Sequence, residues 1–132
     1  MATSVMAGLA PYIEAEVPEA GKGFGFQVPQ DEAYPAWSYQ IVDDEEILSH
    51  GGRTGFYKAR VQIQVTAKET ASASAYVNAA SIADKIRTKL NGFKGDMSGV
   101  QVKFCKTMAN DDWADQKQLP TASIDVLINY RL

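Results

Sequence analysis

The sequence predicts an α+β fold: a mostly antiparallel sheet of about five strands, with one long helix and a short N-terminal helix packed on one face. Three observations lead there. Five segments alternate apolar with polar residues, the mark of strands with one buried and one solvated face, whereas parallel strands covered on both sides read as continuous apolar runs. The segment 70–92 carries helical periodicity instead. A sheet of five strands at ~4.8 Å spacing is near ~20 Å wide, and one helix of ~10 Å cannot cover it. The N-terminal segment therefore has to supply a second cover.

Along the chain, Ser4 can cap a short helix through VMAGLA, and Pro11 is expected to interrupt or kink it by removing a backbone donor and biasing Ala10 away from helical geometry. In GKGFGFQVPQ, Phe24, Phe26 and Val28 alternate with Gly23, Gly25 and Gln27, a strand with a thin outer face ended by Pro29. A second strand begins after Pro35, with Trp37, Tyr39 and Ile41 on one face and Ser38, Gln40 and Val42 on the other. The stretch 43–58 opens on four consecutive acids and contains Gly51, Gly52 and Gly55; it reads as a long exposed loop, ordered by a partner. In ARVQIQVTAKE, Val61, Ile63 and Val65 alternate with Arg60, Gln62 and Gln64.

The helix follows. Tyr76, Ala79, Ile82, Ala83, Ile86 and Leu90 fall within one stripe, Thr70 or Ser72 can cap its start, and Asn91-Gly92 gives a stop behind basic Lys85, Arg87 and Lys89. A fourth strand sets Val100, Val102 and Phe104 against Gln101, Lys103 and Cys105. The polar ANDDWADQKQLP is then a loop, and a fifth strand runs from Ala122 through Ile124, Val126 and Ile128 to Tyr130.

With 132 residues the chain has room for one core, and 1–132 is read as a single domain without repeats or linkers. No run approaches the ~20 apolar residues of a membrane span. The N-terminal stretch lacks a basic region and carries Glu14, Glu16 and Glu19, so no secretory signal is expected, and assembly in a cytoplasm is. The single cysteine, Cys105, suits a reducing compartment and reads as a small buried residue. Thirteen basic against sixteen acidic side chains give a net charge of −3, which argues against a nucleic-acid clamp.

Catalytic patterns are thin. His50 is the only histidine and sits beside Gly51-Gly52, so neither a metal-binding histidine cluster nor a positioned general base is expected. GKGFGF runs on as a strand, which removes the helix a dinucleotide fingerprint needs and makes its glycines packing or twist devices. The acidic sets DDEE (43–46) and DDWAD (111–115) lack the spacing of a calcium loop. No catalytic residue, metal or cofactor is assigned. Trp113, among aspartates, reads as a contact aromatic.

The order of features resembles the tail-completion proteins of long-tailed bacteriophages, a family that includes tail terminators and tail-to-head joining proteins. The segments that carry it are VPQDEAYPAWSYQIV (28–42), RVQIQVTAK (60–68), ASIADKIRTKLNGFKG (80–95) and the closing ASIDVLINYRL. Within them the matching positions are Pro29, Gln30, Pro35, Tyr39, Gln40, Arg60 to Ile63 and Gly92-Phe93, from about residue 25 onward. The first helix departs from the family pattern by being poor and proline-broken, and the main helix by an extension through ETASASAYVN.

The resemblance implies a non-enzymatic virion protein that forms a homo-oligomeric ring, a hexamer, at the head-proximal end of a tail tube. Such a ring stops tube growth and offers the surface that joins the head. Its implied partners are the tail tube protein and the head-to-tail connector protein, with DNA crossing the lumen only transiently. Asp43, Asp44, Glu45, Glu46 and Arg53 are the candidate tube or neighbour interface, with Lys58 or Lys85 of an adjacent subunit as conceivable partners. Arg60, Gln62 and Gln64 are the candidate ring or lumen face. The alternatives are a head-side connector, a tail tube subunit, or a small-ligand-binding domain that uses the polar sheet face as a cleft floor.

Overall fold

The computed structural model describes residues 6–25, 35–67, 75–108, 113–114 and 120–131. The fold is α+β. Helix α1 (Met6–Glu16) leads through a single 3-10 turn at Pro18–Ala20 into strand β1 (Lys22–Gly25). Strands β2 (Ala36–Ser49) and β3 (Gly52–Thr66) form one long hairpin, followed by helix α2 (Ala75–Leu90). Strands β4 (Gly95–Met97), β5 (Val100–Met108), β6 (Trp113–Ala114) and β7 (Pro120–Arg131) complete the chain. All seven strands share one sheet in the order β1-β2-β3-β7-β5-β4, and β6 takes up the edge of β7 beyond the end of β5. Pairing is antiparallel except where β1 runs parallel to β2.

Alternation decides which face the helices cover. Val61, Ile63 and Val65 of β3 lie opposite Val126, Ile124 and Ala122 of β7, and all six are buried. Over them lies α2, with Ala79, Ile82, Ala83, Ile86 and Leu90 buried as its periodicity predicts. Gly92, in the left-handed region at φ 81°, ends this helix and donates its N–H to the Cys105 carbonyl at 2.7 Å. The second cover is α1: Leu9, Ile13 and Val17, four residues apart, join the same buried cluster. Gly8 lets this helix approach β4 closely, because a Cβ there would stand 2.0 Å from the Met97 carbonyl oxygen.

Several expectations need correction. Pro11 does not break α1: the helix runs through it, with the ring on the exposed side, so the hydrogen bond it removes lies toward water. The stretch 43–58 is not a loop. Its acids belong to β2, its glycines to the turn and the start of β3, and Ser49 lies opposite Gly52 in register. Gly52 takes φ 106° right after the turn residues His50 and Gly51, and the Ser49 hydroxyl accepts from the Gly51 N–H at 3.2 Å. Two strands were not foreseen: β4 spans three residues and β6 two, too short for alternation to register. Trp113 was expected in a loop, yet its backbone pairs with Thr121. The contact suggested for its side chain lies outside the described residues, as do the Thr70, Ser72 and Ser4 caps, the end of the first strand at Pro29, and the Tyr76 side chain.

In β5 the alternation breaks. A bulge between Val102 and Phe104 inserts Lys103, so Cys105 turns into the core at 0% exposure and Phe104 turns out at 47%. Burial pushes the Cys105 thiol up to about 12.

Candidate assembly interface

The polar face of the sheet is assembled row by row. Ser38, Gln64 and Ser123 form one row across β2, β3 and β7; Gln40, Gln62 and Asp125 form the next. This face is less open than the strand patterns imply. Ser38, Ser123, Thr66 and Asp125 are buried, and Gln40, Gln62 and Gln64 are half-buried. Lateral bonds close it: Gln40 Nε2 donates to Gln62 Oε1 at 3.2 Å, and Arg60 Nη2 donates to Asp125 Oδ2 at 2.8 Å. A charge-assisted bond of that length spares the nearly buried Asp125 carboxylate an uncompensated charge. Arg60, Gln62 and Gln64, expected together, do lie together, and part of their hydrogen-bonding capacity is spent within the chain.

Beyond Ile41 a bulge inserts Val42, and the register then sets Asp43 opposite Arg60, Asp44 opposite Ala59, Glu45 opposite Lys58 and Glu46 opposite Tyr57. The four acids therefore split between the two faces. Asp43 and Glu45 share the polar face with Arg60 and Lys58. Asp44 turns to the other side, where it accepts a hydrogen bond from the Tyr130 hydroxyl at 2.9 Å, and Tyr130 stacks on Tyr57 at 5.4 Å. Asp44 thus braces the base of the hairpin and is only in part available to a partner.

From Val42 outward the hairpin forms an arm, tied to the core at this brace. A second register shift follows Glu46, Leu48 lies opposite Arg53, and the Thr54 hydroxyl donates to the Ile47 carbonyl. The arm leaves Val42, Ile47 and Leu48 exposed at 54%, 40% and 67%. Arg53 is placed in the arm by its backbone pairing. The sequence reading found acids here; the apolar side chains set among them were passed over, although the pattern ILS after DDEE displays them.

The same registers gather cations that lie apart in sequence. Phe56 lies opposite Arg131, Lys58 opposite Asn129 and then Phe104, and Arg60 opposite Leu127 and then Lys106. Lys103 Nζ and Arg131 Cζ stand 5.8 and 5.9 Å from the Phe56 ring centroid. Lys58, Arg60, Lys103, Lys106 and Arg131 thus occupy one end of the polar face with Phe56 and Phe104 between them. No sequence window displays this grouping, because three separate strands contribute and a bulge sets the side of Phe104.

The opposite side of the molecule holds a groove of about 730 Å³ between the end of α1 and α2, lined by Val17, Val77, Ala80 and Thr88 among others. Ion pairs rim it, Lys85 with Glu19 at 3.1 Å and Lys89 with Glu16 at 3.7 Å. Lys85, suggested as a partner for a neighbour's acids, is therefore already paired within its own chain. Glu19 is held below the usual carboxylate range by its own backbone N–H and then by Lys85, while burial pushes the Tyr12 hydroxyl up, followed by Glu16 and Cys105. The groove floor is helical, so it is not the sheet-floored cleft that the ligand-binding alternative requires. Among the described residues, no three of His, Cys, Asp and Glu come together to hold a metal ion, and no helix is long and apolar enough to cross a membrane.

No protein-family model matches the chain, and no curated protein does either. Among solved structures, the chain is similar to one from the virion of a native gene transfer agent particle, at 13% identity over 98% of each chain and with a TM-score of 0.48.

Proposed function

We propose that this chain is a structural virion protein that forms a ring at the head-proximal end of a phage tail tube, where it stops tube polymerisation and presents the head-joining surface. The observation that carries the reading is the β2–β3 arm. It runs out past the Tyr130 to Asp44 brace and exposes Val42 at its base and Ile47 and Leu48 toward its tip, set among acids, a surface suited to cover by a partner. The ordered sequence features from Pro29-Gln30 to Gly92-Phe93 support the same reading. So do the half-buried amides Gln40, Gln62 and Gln64, an uncharged part of the polar face that does not neutralise phosphate.

In this reading the arm, with Asp43, Glu45, Glu46 and Arg53, meets the last tube ring or the neighbouring subunit. Termination follows from asymmetry: one surface matches the tube edge, and no equivalent surface is presented to a further tube subunit. The test is polymerisation of purified tube protein with and without this chain, followed by electron microscopy of tube lengths and addition of filled heads. Capped tubes of limited length that join heads are expected; unchanged lengths and no joining overturn the proposal. Joining of the chain to heads in the absence of tube favours the head-side connector, and unlimited self-polymerisation favours a tube subunit.

A further inference from the structure

The two long strands that flank the centre of the sheet carry opposite charge. β2 (AWSYQIVDDEEILS) holds four acids and no base, and β5 (VQVKFCKTM) holds two lysines and no acid. Among the described residues, β1 covers β2 only from Ala36 to Tyr39, and β4 covers β5 only from Val100 to Val102. The stretches beyond these pairings stand at the same height, the one on β5 flanked by Asn91 and Gly92 of the turn after α2. Asp43, Arg60, Leu127 and Lys106 form one continuous row across β2, β3, β7 and β5, and Glu45, Lys58, Asn129 and Phe104 form the next. The acid and the base that end the first row lie about 14 Å apart, three strand spacings.

From this juxtaposition we infer that the acidic arm of one copy docks on the Lys103, Phe104 and Lys106 edge of the next, head to tail, and that this contact is the subunit interface of the ring. The inference rests on the ring reading and names its surfaces. Side-chain docking of the arm on that edge matches Asp43 and Glu45 with Lys106 and Lys103, with Phe104 between the two lysines. Exposed apolar groups stand on both sides: Val42 at 54% and Leu48 at 67% on the arm, Phe104 at 47% on the other edge. That pairing gives the contact the apolar centre and charged rim of a protein interface.

The contact is made by side chains rather than by strand addition, since the β5 backbone is already engaged: the Cys105 carbonyl accepts from Gly92 N–H at 2.7 Å, and the Thr107 N–H donates to Asn91 Oδ1 at 3.2 Å. Because donor and acceptor surfaces differ, the interface is heterologous, the kind that closes into rings. Within the chain, Asp43 and Glu45 also neighbour Arg60 and Lys58 across the hairpin, which leaves Lys103 and Lys106 as the outermost cations of the face.

Two charge-reversed chains test it. One carries Lys103→Glu and Lys106→Glu, the other Asp43→Lys and Glu45→Lys; every substituted residue is exposed, and circular dichroism verifies the folds. In size-exclusion chromatography with light scattering at about physiological salt, where screening acts beyond ~8 Å, each variant alone is expected to lose the ring and elute as monomer. Mixing the two is expected to restore it, because each arm then meets an oppositely charged edge on the other variant in an alternating ring. Rings that persist in either variant alone, or a mixture that stays dissociated, overturn this contact while leaving the ring reading in place. A wild-type chain that remains monomeric at every concentration overturns both. DNA binding that is lost in the lysine-reversed variant while its ring persists assigns the cationic edge to phosphate and also overturns the contact.

Discussion

At the residue scale, Cys105 illustrates how a strand bulge decides chemistry. Its thiol sits in the core at 0% exposure, and burial pushes its ionisation up to about 12 from an ordinary 9.0. A thiol held protonated and out of reach is not a nucleophile. We expect no labelling of Cys105 by an aromatic disulfide reagent in the native state at about neutral pH and full labelling on unfolding; rapid native labelling would contradict its placement. The sign of the pH effect follows from linkage. Between pH 9 and about 12 the unfolded thiol has lost a proton that the folded thiol keeps, so this group's contribution is intact below 9 and falls as pH rises through that window. Comparing denaturant midpoints at about pH 8 and about pH 10 for wild type and Cys105→Ala isolates the effect, because the variant should lose less stability across the interval. Cysteine's general preference for burial pointed inward, but the alternation set Cys105 on the polar face and Phe104 on the core face; a single inserted residue reverses both, and no count of alternation detects it.

At the element scale, β1 depends on a glycine read correctly as a packing device. An added Cβ at Gly23 would stand 2.3 Å from the Trp37 indole, whose Nε1 donates to the Gly21 carbonyl at 3.3 Å. Glu14 Oε1 accepts from the Gly23 N–H at 2.9 Å, so the same residue ties α1 to the sheet. Gly23→Ala should therefore displace Trp37 and cost about 1–3 kcal/mol, the range for forcing extra volume into a packed site. Equilibrium denaturation gives the magnitude, and a shift in tryptophan emission locates it; an unchanged midpoint would mean that the indole moves without penalty. The elements most legible in the sequence were those whose periodicity persists over several turns or pairs: α2, β3 and β7. The hairpin was hidden because the two register shifts in β2 break its alternation, and its acids and glycines imitate a loop. In the structure those residues supply a bulged strand and a tight turn.

At the scale of the whole molecule, the fold divides into a packed core and an arm whose outer part, residues 47–51, is exposed. The dividing line falls at the pair Glu46 and Tyr57. On its inner side, Tyr57 stacks on Tyr130, Tyr130 donates to Asp44, and the buried cluster begins at Ala59. On its outer side, Ile47, Leu48, Ser49, His50 and Gly51 are all exposed. If the arm serves assembly rather than stability, its outer part can be removed at that line. Replacing residues 47–56 by Asn-Gly joins Glu46 to Tyr57 through a two-residue turn suited to the twist of paired strands. The shortened chain gives up Phe56 and its contacts with Lys103 and Arg131 but keeps the brace and the core, so we expect a stability loss of about 1 kcal/mol or less by denaturant unfolding. Because Val42, Asp43 and Glu45 remain while Leu48 is lost, light scattering should show rings that dissociate at higher protein concentration than those of the full chain, and tube length should be less tightly limited in the polymerisation assay. A loss of several kcal/mol would make the arm part of the folding unit. Rings as stable as those of the full chain would confine the subunit contact to Val42, Asp43 and Glu45 and remove Leu48 from it.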